Sequence, residues 1–124
     1  MKRILLVDDV PAVRLSIRAA LEAAGHQVIE AADGKEALDL LDSQGVDLIV
    51  TDLWMPNLDG VELLKRLRAA NTGIKVIAIS GGGMRRPIDV SAALAQTWGA
   101  DAILYKPFDN DDLITEINRL TGQS

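Results

Sequence analysis

Short apolar runs alternate along the chain with longer stretches in which apolar residues recur every three or four positions. The apolar runs fall at about residues 3–7, 27–30, 47–51, 74–79 and 102–105. Runs this short and this rich in β-branched residues indicate buried parallel strands, and the stretches between them have the periodicity of amphipathic helices. Five strand–helix repeats predict one α/β domain over residues 1–124, a three-layer, doubly wound fold with a five-stranded parallel sheet.

Residues typical of helix ends set the boundaries of these elements. The first helix is expected to open at Pro11, since proline suits the first turn, and Gly25 suits the left-handed position beyond its end. Asp33 and Asp109 are predicted N-caps of the second and last helices. A further helix is expected between residues 87 and 99.

Polar residues stand where four of the predicted strands end. Asp8 and Asp9 follow the first strand and Asp52 follows the third, whereas Ser80 and Lys106 close the last two. Ligands of open α/β sheets bind outside the carboxyl ends of the strands. Taken singly, each of these residues is explained as a helix cap, a turn or a solvated strand exit. Their combination favours a site for a hard cation and an anion.

The acids in this group favour magnesium over other metals. Mg²⁺ takes carboxylate oxygens, keeps several waters and accepts phosphate oxygens at its open positions. Calcium prefers a larger oxygen cage, and a zinc site is disfavoured in a chain with one histidine and no cysteine. One acid would then be free to act as a nucleophile, because a carboxylate can form an aspartyl-phosphate.

Composition excludes several classes of function. The formal net charge is −5, with 13 basic and 18 acidic residues, and no basic stripe is present. Direct binding of nucleic acid or of an anionic membrane is therefore not expected. No apolar stretch approaches the roughly 20 residues that span a bilayer. The absence of cysteine fits a reducing compartment, so a cytoplasmic protein is expected.

With these residues assembled, the chain resembles the receiver domain of two-component response regulators, the CheY-like superfamily, along essentially its full length. The matching stretches are Ile4-Leu5-Leu6-Val7-Asp8-Asp9, Thr51-Asp52-Leu53-Trp54-Met55-Pro56, Asp59-Gly60, Ser80-Gly81, Gly99-Ala100-Asp101 and Lys106-Pro107-Phe108. The resemblance implies the flavodoxin-like strand order 2-1-3-4-5. It also implies a Mg²⁺ site formed by Asp8, Asp9 and Asp52 with the backbone carbonyl of Trp54.

The resemblance further implies that Asp52 accepts a phosphoryl group from a histidine kinase or a histidine phosphotransfer protein. Lys106 would pair with the phosphoryl group and Ser80 would hydrogen-bond to it. On physical grounds the backbone amides of Leu53 and Gly81 could donate further bonds, since glycine admits close approach. Such a protein is not an enzyme in the ordinary sense, since only its own phosphorylation and dephosphorylation are catalysed. The new charge would shift a protein-binding surface.

Two features depart from the usual receiver pattern. Receivers carry Tyr or Phe three residues before the lysine, whereas this chain has Ile103 there and Tyr105 directly before the lysine. By strand alternation Tyr105 points to the same face as Ile103. The segment from Ser80 to Lys106 is several residues longer than usual, and for the glycine-rich residues 81–87 within it a flexible loop is favoured over a phosphate cradle.

The side chains of three further aromatic residues carry weaker expectations. His26 follows the Gly25 helix stop and is expected to be exposed, and Trp98 is expected in the core at the end of an apolar helical face. Trp54 lies two residues after the proposed phosphoacceptor, where it could shield the acyl phosphate from water.

The way in which the signal leaves the domain stays open. The sequence ends at Ser124, just after the fifth predicted helix, and a stand-alone regulator, monomeric or weakly dimeric, is the favoured interpretation. A phosphate sink, a phosphorelay intermediate and a receiver-like binding module that is not phosphorylated are alternatives. A magnesium-dependent phosphatase is disfavoured, because Trp54 occupies the position where a second catalytic acid would be needed.

Overall fold

The structure, a computed structural model, describes residues 2–53, 60–70, 73–80 and 95–122. Within these ranges the elements, in chain order, are β1 (Arg3–Val7), α1 (Pro11–Ala23), β2 (Gln27–Ala31), α2 (Gly34–Ser43), β3 (Leu48–Asp52), α3 (Gly60–Ala69), β4 (Lys75–Ser80), β5 (Ala102–Tyr105) and α4 (Asn110–Thr121). Residues 95–97 are also helical. They are the end of the helix predicted between residues 87 and 99, whose beginning lies outside the described residues.

The five strands form one parallel sheet in the order β2-β1-β3-β4-β5, which confirms the predicted fold class and strand order. The register aligns the carboxyl ends of the strands at one edge. Val7 pairs with Thr51, Asp52 pairs with Ile79, and Ser80 pairs with Tyr105. The residues that follow these strands therefore start from neighbouring positions.

Alternating side chains of the strands divide the core into two layers. Ile4 and Leu6 of β1 belong to a cluster with apolar residues of α1 and α4. Leu5 and Val7 face the other way, into a cluster with residues of α2 and α3. All four of these side chains are fully buried, so β1 is covered on both faces, as expected for a parallel strand in a three-layer fold.

Helix ends follow the predicted chemistry. Pro11 occupies the first turn of α1, and Asp33 accepts a hydrogen bond of 2.8 Å from the backbone amide of Glu36 at the start of α2. Asp109 is the N-cap of α4, where its amide donates to the carboxylate of Asp112. None of the helices in the described ranges is both long and apolar enough to cross a membrane.

Two predictions about single side chains are wrong. His26 is only 6% exposed, because β2 begins directly after it and its Nδ1 accepts a hydrogen bond of 3.3 Å from the Lys2 amide. Trp98 is 42% exposed, since it lies beyond the helical residues 95–97 in the turn at Gly99, whose φ is 86°. The Lys65 ammonium lies 5.3 Å from the centroid of the Trp98 ring.

Candidate phosphoacceptor and metal site

Asp8 follows β1 with most of its polar groups already engaged. Its backbone amide donates to the Ala31 carbonyl at 3.1 Å, and its Oδ1 accepts from the Val10 amide at 2.8 Å. The side chain is 1% exposed. The second carboxylate oxygen, Oδ2, is buried and has no hydrogen-bond donor among the described residues. Asp8 therefore presents one oxygen toward the site from a fixed position.

Asp52 ends β3, the central strand of the sheet, and is 5% exposed. The Thr51 hydroxyl donates to the Asp52 carbonyl at 2.9 Å, and the amide of the next residue, Leu53, donates to the Ile79 carbonyl at 3.0 Å. The amide of Gly60 closes the segment with a hydrogen bond to the Leu53 carbonyl at 3.2 Å. These bonds hold the backbone on both sides of the carboxylate.

Lys106 enters the site from the far side of β4. Its backbone amide donates to the Ser80 carbonyl at 2.9 Å, which extends the pairing of β4 and β5 by one residue. The Lys106 Nζ lies 3.4 Å from Asp52 Oδ2 and 4.0 Å from Asp8 Oδ2. Ser80 is fully buried, and its hydroxyl has no hydrogen-bond partner among the described residues.

The site carries an excess of negative charge. Asp8, Asp9 and Asp52 each place one carboxylate oxygen within 4.8 Å of the others. At that distance two carboxylates repel by about 3 kcal/mol at an effective dielectric constant near 20. Burial is the main cause that raises the pKa of Asp8 above its ordinary value, and the neighbouring charges of Asp52 and Asp9 raise it further.

These residues fit a divalent cation. The three carboxylates and the ammonium of Lys106, taken together, carry two negative charges, which one Mg²⁺ would neutralise. Such an ion requires hard oxygen donors, and Oδ2 of buried Asp8 is one that accepts no hydrogen bond from the described residues. The exposed side chain of Asp9 leaves one side of the group open to solvent and to a ligand.

The structure thus brings together the predicted acids and the lysine, and places Ser80 one residue beyond the strand partner of Asp52. Trp54, Gly81 and the segment 81–87 lie outside the described residues. One expectation is wrong: the Leu53 amide donates within the sheet, so it is already engaged and does not serve as a phosphoryl donor in this arrangement.

Sequence reasoning also missed Arg14. Its Nη1 donates to the backbone carbonyl of Asp8 at 2.6 Å, and its Nε donates to Glu30 at 3.1 Å. An arginine six positions after an aspartate carries no recognisable signal of such a bond, because the acceptor is a backbone carbonyl that every residue has.

Comparison with known proteins agrees with this geometry. The family model of the response regulator receiver domain matches residues 4–118. Response regulator MprA of Mycolicibacterium vanbaalenii is 38% identical over 95% of the chain, which spans 49% of that relative's length. Sporulation initiation phosphotransferase F of Bacillus subtilis is 34% identical over 90% of the chain and 87% of its own length.

Solved structures give the same result. The receiver domain of the Francisella response regulator 1452 is 35% identical, with a TM-score of 0.86 and 98% of each chain covered. The Thermotoga maritima response regulator TrrA, solved in complex with Mg²⁺-BeF, is 31% identical, with a TM-score of 0.81 over 97% of this chain and 99% of that one.

The chain belongs to the response regulator receiver domain family. Proteins of this family are phosphoacceptors in two-component signalling rather than enzymes in the ordinary sense, and they interact with histidine kinases or phosphotransfer proteins. The acidic group at the carboxyl ends of β1 and β3 lies where a phosphoacceptor site is expected in this fold. The protein is a phosphoacceptor of a two-component system.

Proposed function

We propose that Asp52 is the residue that accepts the phosphoryl group. The observation that carries this proposal is the pairing of a nearly buried carboxylate with the Lys106 ammonium at 3.4 Å, at the end of the central strand. A carboxylate oxygen of Asp52 forms the new P–O bond while the P–N bond of a partner's phosphohistidine breaks. The leaving imidazole keeps the electron pair and takes a proton from solvent.

The two other acids are less suited to this role. Asp8 Oδ1 is occupied by the Val10 amide, and Asp8 Oδ2 lies farther from the Lys106 ammonium than the Asp52 carboxylate does. Asp9 is exposed, so water competes for its carboxylate. Phosphoryl transfer depends mainly on positioning and charge neutralisation, and among the three acids Asp52 is the one held closest to a cation.

Asp8, Asp9 and Asp52 would hold Mg²⁺, together with the backbone carbonyl of Trp54, which lies outside the described residues. The ion would supply positive charge beside the phosphoryl oxygens. The protein's own contribution is to hold three carboxylate oxygens within 4.8 Å of one another before any ligand arrives. This arrangement avoids the cost of gathering the charges at the moment of reaction.

Lys106 and Ser80 would bind the phosphoryl group once it is on Asp52. The ammonium would pair with its charged oxygens, and the buried Ser80 hydroxyl gains the acceptor that it lacks among the described residues. Water would later hydrolyse the acyl phosphate and return the carboxylate, so phosphorylation and dephosphorylation both occur at the domain's own site.

The phosphohistidine donor and the cysteine-free chain support a cytoplasmic location.

Intact-mass measurement after incubation with Mg²⁺ and phosphoramidate tests this assignment. Wild type is expected to gain one phosphoryl group, and Asp52→Asn is expected to gain none. Asp39→Asn, which changes an exposed acid on α2, is the matched control and should be phosphorylated like wild type. Phosphorylation of Asp52→Asn at wild-type level would overturn the assignment of Asp52. If no protein in the series, wild type included, gains a phosphoryl group, the receiver has kept the acidic site but does not carry out phosphoryl transfer.

A further inference from the structure

We propose that Arg14 is a positioning residue for the acidic site: it fixes the peptide group between Asp8 and Asp9, so that both carboxylates are held where a divalent cation binds. This inference rests on the metal site proposed above. Arg14 is the fourth residue of α1, and its side chain is 18% exposed. Its guanidinium lies between the loop that carries the two acids and β2.

Two hydrogen bonds define the position of the Arg14 side chain. Nη1 donates to the carbonyl oxygen of Asp8 at 2.6 Å, and Nε donates to Glu30 Oε1 at 3.1 Å. Glu30 is a residue of β2, so its backbone is held by the sheet. The guanidinium therefore ties the loop to a rigid strand, and its planar fork serves both acceptors at once.

The bond to the Asp8 carbonyl removes the remaining freedom of the loop. The Asp8 amide is bonded to Ala31, and Asp8 Oδ1 is bonded to the Val10 amide. With the carbonyl bonded to Arg14, every polar group of Asp8 except Oδ2 is hydrogen-bonded, and Oδ2 faces the Lys106 ammonium at 4.0 Å. The same carbonyl belongs to the peptide that carries the Asp9 amide. Holding this planar group fixes the direction in which the Asp9 backbone continues.

Arg18 provides an internal comparison. Its Nη1 donates to the other oxygen of Glu30, Oε2, at 2.5 Å, and its Nε donates to Glu22 at 3.2 Å. Arg18 thus shares the carboxylate of Glu30 with Arg14, but in the described part of the chain it forms no hydrogen bond or ion pair with Asp8. The guanidinium of Arg18, and to a smaller extent that of Arg14, holds the pKa of Glu30 below its ordinary value, so this carboxylate stays charged.

The charge of Arg14 and its positioning role predict opposite changes in Mg²⁺ affinity when Arg14 is replaced. Removing a positive charge near three carboxylates should leave Mg²⁺ affinity unchanged or increase it, since less repulsion acts on the ion. Loss of positioning should decrease the affinity, because partners that orient metal ligands typically contribute 10- to 100-fold. The sign of the change therefore separates the two effects.

The experiment is a calorimetric titration of Mg²⁺ alone into wild type, Arg14→Ala, Arg14→Lys and Arg18→Ala, each checked for folding by near-ultraviolet circular dichroism. We expect the Mg²⁺ Kd to rise by about tenfold in Arg14→Ala. Arg14→Lys keeps the charge but cannot serve both acceptors, so its Kd should also rise. Arg18→Ala should bind Mg²⁺ like wild type, although it also loses an ion pair with Glu30.

Each outcome has a distinct meaning. Equal Kd values in wild type and Arg14→Ala would overturn the positioning role and leave the metal site intact. A rise of equal size in Arg18→Ala would also overturn it, since the effect would then come from Glu30 or from general stability. A wild type that gives no calorimetric signal with Mg²⁺ at several temperatures would overturn the proposed metal site itself. If Arg14→Ala does not fold, the comparison of Arg14→Lys with Arg18→Ala decides.

Discussion

The ammonium of Lys106 lies 3.4 Å from Oδ2 of Asp52, although the two residues are 54 positions apart in the chain. Asp52 ends β3 and Lys106 follows β5, and β4 lies between these two strands in the sheet. The lysine reaches across the end of β4 because its backbone is bonded to Ser80, the last residue of that strand. The pair places one positive charge against a nearly buried carboxylate. The Lys106 ammonium therefore offsets part of the negative charge at Asp52 in the absence of a metal ion.

Replacing Lys106 by methionine should have opposite effects on stability and on metal binding. The three carboxylates lose their nearby cation, so the free energy of unfolding in EDTA should fall by about 1 kcal/mol, a modest value because the Lys106 side chain is 33% exposed. Mg²⁺ should bind more tightly, since the ammonium no longer repels it. Urea unfolding in EDTA and calorimetric titration of Mg²⁺ measure the two effects.

Lys35→Met is the control for this substitution, because Lys35 is an exposed lysine on α2. It should change neither stability nor affinity. A Lys106→Met protein that binds Mg²⁺ more weakly than wild type would contradict the view that the ammonium and the ion compete for the same carboxylates.

Asp8→Asn should stabilise the metal-free protein and abolish tight Mg²⁺ binding. The buried Asp8 has a raised pKa, so the folded state binds its proton more readily than the unfolded state does. Its charge therefore costs stability above the folded-state pKa, and this cost disappears as the pH falls toward the ordinary value of 3.8. Asparagine keeps the acceptor for the Val10 amide and removes the charge.

The expected gain at pH 7.5 in EDTA is about 1 kcal/mol, and it should shrink as the pH approaches 4. Urea unfolding of wild type and Asp8→Asn at both pH values measures it, with Asp39→Asn on the exposed face of α2 as the control. A loss of stability in Asp8→Asn at pH 7.5 would show that the charge of Asp8 gains more from the Val10 amide and the Lys106 ammonium than it loses through burial and repulsion.

His26 should make the fold sensitive to mild acid. Burial and the positive charge of Lys2 lower the pKa of His26 below its ordinary value of 6.5, and its Nδ1 must stay unprotonated to accept from the Lys2 amide. Below pH 6.5 the unfolded chain takes up the proton while the folded chain does not. Stability contributed by neutral His26 is therefore present above pH 6.5 and is lost as the pH falls through the folded-state value.

Comparison of wild type with His26→Gln isolates this effect, since the chain has one histidine. When the pH is lowered from 7.5 to 5.5, the urea midpoint should decrease more in wild type than in His26→Gln. Other groups titrate in both proteins, so the difference between the two decreases reports on His26. Parallel changes in the two proteins would remove His26 as the cause.

The strand ends could be predicted from the sequence because each is marked locally. Apolar β-branched runs stop at Asp8, Asp52 and Lys106, and parallel strands bring their carboxyl ends to one edge. Side chains whose surroundings come from distant segments could not be predicted in this way. The position of His26 after Gly25 indicated exposure, whereas the pairing of β2 with β1 encloses the ring.

The same reason explains the other errors. Trp98 continues an apolar helical spacing in the sequence, but the helix ends at residue 97 and the turn at Gly99 directs the indole outward. The Leu53 amide lies beside the proposed phosphoacceptor Asp52 in sequence, yet β3 continues its pairing with β4 for one residue and engages the amide. Both outcomes depend on where an element stops, the least certain part of a sequence-based prediction.

Gly60→Ala should disturb Asp52 through the backbone, without any change to the acids. A Cβ at Gly60 would lie 2.3 Å from the Asp52 carbonyl oxygen and 2.8 Å from the Leu53 Cα, and backbone atoms cannot rotate away. The start of α3 and the end of β3 must then separate. We expect the free energy of unfolding to fall by about 1–3 kcal/mol, the usual cost of overpacking, and phosphorylation by phosphoramidate to slow.

Gly45→Ala is the matched control, because the nearest atom to its added Cβ is the flexible Arg3 guanidinium at 3.8 Å. Urea unfolding and the rate of phosphoryl incorporation by intact mass should separate the two variants. If Gly60→Ala loses stability but is phosphorylated at the wild-type rate, the close packing of α3 on Asp52 serves the fold alone. If both properties fall together while Gly45→Ala is unchanged, this contact sets the position of the phosphoacceptor.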